Sequence, residues 1–253
     1  MKRPSISILL FLAIASGLLA FSANAHATAS THIWAPSTDV QGFNVWHITT
    51  DMYLAVGNDA VGNRIPTITN IGLTVGVLPL KRINMEIGID HKSGLGALDN
   101  YPMYGNLKIG VPENAIANGF PAVAAGVFDV GTKSDATDYN VVYGKIARTI
   151  SAGGFSLGRF SAGWFAGNEK LLLDGKGEKD KSGLLAAWER TVTEISDKLW
   201  ICVEYMGTES VYGSFNIGAS WKVVENVSVL GGYEIFNNAD LVDTATLQVD
   251  IDI

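Results

Sequence analysis

Apolar and polar side chains alternate with a period of two along most of this chain. Between Arg82 and Lys92, Ile83, Met85, Ile87 and Ile89 alternate with Asn84, Glu86, Gly88 and Asp90. A helix would spread both sets around its axis, whereas a strand keeps each set on one face. The same alternation returns in Phe215, Ile217, Ala219 and Trp221, in Val227, Val229 and Tyr233, and in Ala245, Leu247, Val249, Ile251 and Ile253. Leu199, Ile201, Val203 and Tyr205 form another apolar face. Runs of this kind predict about twelve strands, near 43–56, 65–78, 82–92, 104–112, 120–131, 138–150, 154–167, 183–194, 198–207, 211–223, 226–236 and 244–253. The faces of 138–150 and 154–167 are mixed. A soluble strand averages about 5–6 residues, while a tilted strand crossing a bilayer needs about 9–11, and most of these runs have that length or more.

The links between the runs alternate long and short. Gly57 to Arg64, Ser93 to Tyr101 and Asn168 to Ser182 are long; Pro79-Leu80-Lys81, Ser151-Ala152-Gly153 and Ser196-Asp197-Lys198 are tight. Ahead of the strands, Lys2 and Arg3 precede an apolar run from Ile6 to Ala20 and an Ala-x-Ala pattern at Ala23-Asn24-Ala25. This layout predicts a secretory signal peptide over 1–25, cut after Ala25 or after Ala27. Its removal would take the net charge from −7 to −9. Only 17 % of residues are charged, which argues against disorder, and the acidic balance argues against a nucleic-acid partner. The single cysteine, Cys202, excludes a disulfide framework and a cysteine-based zinc site.

Export, long amphipathic strands and a final strand ending on Leu247, Val249, Ile251 and Ile253 resemble bacterial outer-membrane β-barrel proteins. The last of these residues resemble the C-terminal signal read by the barrel-insertion machinery, with Ile253 where Phe is usual. A narrower stretch, Phe120 to Thr132 followed by Asp138 to Lys145, is similar to a hairpin of outer-membrane proteins linked to exopolysaccharide production. The resemblance implies an all-β chain, a closed antiparallel transmembrane β-barrel of about twelve strands over 43–253. It implies the outer membrane of a Gram-negative cell as its location and outer-membrane lipid as its surroundings. Residues 26–42 then form an N-terminal periplasmic segment or a plug, Trp34 and Pro36 being its largest and stiffest residues. Lipid leaves no backbone polar group unpaired, so such a sheet must close on itself. A secreted soluble β-sandwich that binds a ligand is the alternative fold, since alternation alone does not say which face is wet.

With the apolar faces turned to lipid, the opposite faces carry Asp51, Glu86, Asp90, Asp129, Glu189, Glu204, Glu234 and Asp250. The bases on that side are fewer: Lys92, Lys108, Lys222 and either Lys145 or Arg148. An acidic bore favours cations. The expected function is therefore a small, cation-preferring passive channel for ions or small solutes. A non-conducting structural or assembly barrel, related to polysaccharide export, is the alternative. Trp46 and Trp221 are expected at one membrane interface and Tyr205 and Tyr233 at the other. No cofactor, metal ligand set or catalytic residue is expected. His47 is four residues from Asp51 on one strand, about 13 Å at strand rise, and no Gly-x-Ser-x-Gly elbow is present. Asp174 to Asp180 spaces acids like a calcium loop but interleaves lysines, which reads as a solvated external loop.

Overall fold

The computed structural model describes residues 31–253. The expected signal peptide lies outside them. Twelve antiparallel strands close into one barrel. They are β1 (Trp46–Ala55), β2 (Ile68–Gly76), β3 (Asn84–Ser93), β4 (Met103–Val111), β5 (Ala122–Gly131) and β6 (Asp138–Ala152). The second half comprises β7 (Phe155–Ala166), β8 (Ser182–Thr191), β9 (Leu199–Gly207), β10 (Ser214–Val224), β11 (Val227–Phe236) and β12 (Thr244–Asp252). Each strand pairs with its sequence neighbours, and β1 closes the cylinder on β12 with His47 opposite Asp252 and Ala55 opposite Thr244. The soluble sandwich is excluded by this closure.

The burial pattern is inverted relative to a soluble β-protein. Ile87, Ile89, Phe215, Ile217, Trp221 and Leu247 are exposed, while Glu86, Glu204, Glu234, Gln248 and Asp250 are buried. The polar set therefore faces the interior of the cylinder and the apolar set forms its outer wall. The two strands with mixed sequence faces follow the same rule: in β6, Val141, Tyr143, Lys145 and Ala147 point inward and Val142 and Ile146 outward. Lys145, not Arg148, is thus the inward base of β6; Arg148 pairs with Glu113 in the β4–β5 turn. Asp129 reaches the interior by another route. By parity it would share the outer face with Val123, but the β5 register shifts between Phe128 and Val130. The Asp129 backbone there is left-handed, with φ 52°, and its side chain is buried.

Before β1 the chain dips into the barrel and returns. Residues 31–41 lie inside, with His32, Ile33, Ala35, Ser37, Thr38 and Gln41 all buried. The His32 amide donates to the Ala35 carbonyl, and Thr31 bridges Pro36 in antiparallel fashion, so 31–36 is a tight turn with Ile33 and Trp34 at its tip. Inward glycines make its seat. A Cβ on Gly218 would stand 2.9 Å from Ile33 Cδ1, and one on Gly76 only 1.8 Å from the Gly42 carbonyl oxygen.

Candidate functional site: a bore filled by the N-terminal segment

The carboxylates of the inner wall receive the backbone of this segment. Glu204 on β9 accepts hydrogen bonds from the amides of Ile33, Trp34 and Ala35 at 3.3, 2.7 and 3.0 Å. Glu86 on β3 accepts one from the Gln41 amide at 2.7 Å. The bases take its carbonyls: Lys145 Nζ donates to Pro36 O at 2.9 Å and Lys108 Nζ to Asp39 O at 2.9 Å. Gln248 adds a bond to Ile33 O. Arg159 on β7 pairs with both Asp39 of the segment and Glu189 of β8. His32 Nε2 lies 3.1 Å from Glu189.

The tip of the turn meets an apolar cluster toward the far end of the bore. Trp34 packs edge-on against Tyr53 with ring centroids 5.2 Å apart, and against Tyr212 at 6.0 Å. Tyr212, from the β9–β10 loop, touches Phe128 and Tyr139 as well and donates its hydroxyl to Asp129. Burial and the Asp129 carboxylate hold its phenol well above the ordinary tyrosine range, so it stays a donor. Leu172 of the β7–β8 link is fully buried in the same cluster. At the end where β1 begins and β12 finishes the bore opens into a cavity of about 480 Å³, lined among others by Thr31, Arg159, Arg190, Lys198, Lys222 and Asp250.

The structure brings together the inward residues expected from sequence. Asp51, Asn70, Asp90 and Asn106 join in a row across β1–β4, with bonds of 3.0, 3.3 and 2.7 Å. Lys92 pairs with Asp129, and Lys108 lies 3.3 Å from Glu86. The aromatics Trp46, Trp221 and Tyr205 are exposed on the outer wall, the tryptophans at the end where β1 begins and β12 finishes and Tyr205 at the other, while Tyr233 there is half-buried. His47, set against Asp51 in the sequence, is instead bound by Asp252 at 2.7 Å, with Asp250 at 3.4 Å. Cross-strand closure on β12 supplies that partner. Among the described residues neither of its ring nitrogens bonds a serine. His32, Cys202 and Glu204 come close enough to share an ion. Lys145 Nζ sits 3.2 Å from His32 Nδ1, however, and Glu204 already serves three amides, which disfavours a metal there. Arg159, Asp39 and His32 were not legible as interior residues: the faces of β7 are mixed, and the segment has no strand period.

No family model matches the chain, and no curated protein matches it. Solved structures similar to it include outer-membrane proteins. An outer membrane channel from Pseudomonas putida F1 aligns over 86 % of this chain and 98 % of its own, at 10 % identity and a TM-score of 0.49. The NanC porin aligns over 81 % and 98 %, at 6 % identity and a TM-score of 0.45. Outer membrane phospholipase A from Escherichia coli aligns over 83 % and 93 %, at 11 % identity and a TM-score of 0.43. By its own geometry the chain is a closed antiparallel β-barrel, apolar outside and polar within.

Proposed function

We propose that this chain is an outer-membrane passive channel for ions or small solutes that is closed at rest by its own residues 31–41. The observation that carries the reading is the seating of that segment. Glu204, Glu86, Lys145, Lys108 and Arg159 bind its backbone and Asp39 by directional polar bonds, which can be exchanged for water, rather than by a continuous apolar interface. An apolar outer wall of twelve strands supports insertion in lipid, with Trp46, Trp221, Tyr205 and Tyr233 at its interfaces and the barrel-insertion machinery as its partner in biogenesis. Withdrawal of the segment removes His32 and Asp39 and leaves Asp51, Glu86, Asp90, Asp129, Glu189, Glu204, Glu234 and Asp250 facing fewer bases, so the open bore prefers cations. The filled interior also favours a second reading, a non-conducting structural barrel.

Planar-bilayer recording of the chain lacking residues 31–41 tests the selectivity. In a salt gradient the reversal potential is expected on the cation side. A potential on the anion side would refute the cation preference, and silence would favour the structural barrel.

A further inference from the structure

Three inward side chains stand in register on neighbouring strands: Glu204 on β9, Asn216 on β10 and Glu234 on β11. All three are essentially inaccessible, at 1 %, 0 % and 1 % exposure. The Asn216 amide nitrogen donates to Glu204 Oε1 at 2.7 Å. Glu234 Oε2 is held from the other side by the Thr244 hydroxyl of β12. Asn216 Oδ1 and Glu234 Oε1, on adjacent strands, have no hydrogen-bond partner among the described residues. Ser214, the next inward position of β10, also has a buried hydroxyl without a partner among the described residues.

Turning the amide over does not remove the conflict. A carboxamide flanked by two carboxylates offers its nitrogen to one and its oxygen to the other, so one acceptor always confronts another. No base relieves it. Glu234 forms no ion pair among the described residues, and the nearby inward bases are engaged elsewhere: Lys92 with Asp129, Arg159 with Asp39 and Glu189, Lys145 with Pro36 and His32, and His47 with Asp250 and Asp252. Lys222 is six residues along β10, roughly 20 Å at strand rise. A buried carboxylate without a counter-charge is costly, and it is relieved either by a proton or by a cation.

We propose that a single hard cation, sodium or calcium in class, occupies the wall between Glu234 Oε1, Asn216 Oδ1 and the Ser214 hydroxyl. The donors are all oxygen, a set that suits hard cations and not zinc or copper. The site lies in the wall beside the seated N-terminal segment, so it is occupied whether or not the barrel conducts.

Equilibrium dialysis of the detergent-refolded full chain at pH 7, against radiolabelled sodium and calcium, tests it. The wild type is expected to retain one ion of either kind more than Glu234→Gln, both giving the heat-modifiable band of a folded barrel. Equal retention would overturn the proposal. So would an infrared carbonyl band of un-ionised carboxylic acid at pH 7 that disappears in Glu234→Gln, because a proton would then fill the gap. If Glu234→Gln does not fold, Asn216→Asp carries the comparison: a second carboxylate should tighten retention tenfold or more, and unchanged retention overturns the site.

Discussion

At the residue scale, one carboxylate does most to hold the N-terminal segment. Glu204 accepts three successive backbone amides as well as the Asn216 side chain, an arrangement that resembles an anion nest except that the anion belongs to the wall. Hydrogen bonds to a charged acceptor contribute about 1.5–3 kcal/mol each. Glu204→Gln is therefore expected to weaken the seating by about 2 kcal/mol, equivalent to roughly 30-fold faster hydrogen exchange at the Ile33, Trp34 and Ala35 amides. Unchanged exchange would show that the segment is held elsewhere. Outside the barrel wall, Glu169 in the β7–β8 link is bonded by Lys179 and Lys181, and they lower its carboxyl pKa to about 2. Because the folded value lies below the ordinary carboxylate range, the bridge is intact above about pH 4.3 and is lost as pH falls through 2. A Glu169 carboxyl resonance titrating near pH 2 is expected; titration near 4 would contradict the bridge.

At the scale of elements, the twelve strands were legible because a period of two survives wherever one face meets lipid and the other meets water. Every predicted run overlaps a strand, with ends displaced by a few residues in either direction, as at Trp46 in place of 43 and Ala152 in place of 150. Asp129 is expected inward from the sequence and is found there, but it arrives through a bulge that alternation cannot announce. The N-terminal segment was harder still. Its residues follow no period, and its seat is written in absences: Gly76, Gly218 and Gly232 occupy inward positions where a side chain would collide with it. This argues for a direct test. Gly76→Ala places a methyl 1.8 Å from the Gly42 carbonyl oxygen and should unseat the segment, making 31–45 sensitive to protease while the barrel stays folded. Gly231→Ala on β11 meets nothing within 4 Å and is expected to leave the segment protected. Equal protection in both would contradict the seating of the segment inside the barrel.

At the scale of the whole molecule, the inverted pattern makes a quantitative demand on the exterior. Ile217 is exposed near the middle of β10, so in lipid Ile217→Arg should destabilise the barrel by about 2–4 kcal/mol, read as a shifted unfolding midpoint in vesicles. A neutral result would remove the acyl chains from that face. The interior makes a different demand. Asp51 to Asp250 were readable as inward carboxylates, but their partners were not, because those partners arrive from a distant segment and from strands across the cylinder. An acidic bore inferred from one strand at a time therefore becomes, in three dimensions, a set of bonds around a stopper. Conductance decides between stopper and lining. Reconstituted in planar bilayers, the chain carrying residues 31–41 should be silent or nearly so, and the chain lacking them should show discrete steps. Identical conductance from the two would contradict the closure of the bore by its own N-terminal segment.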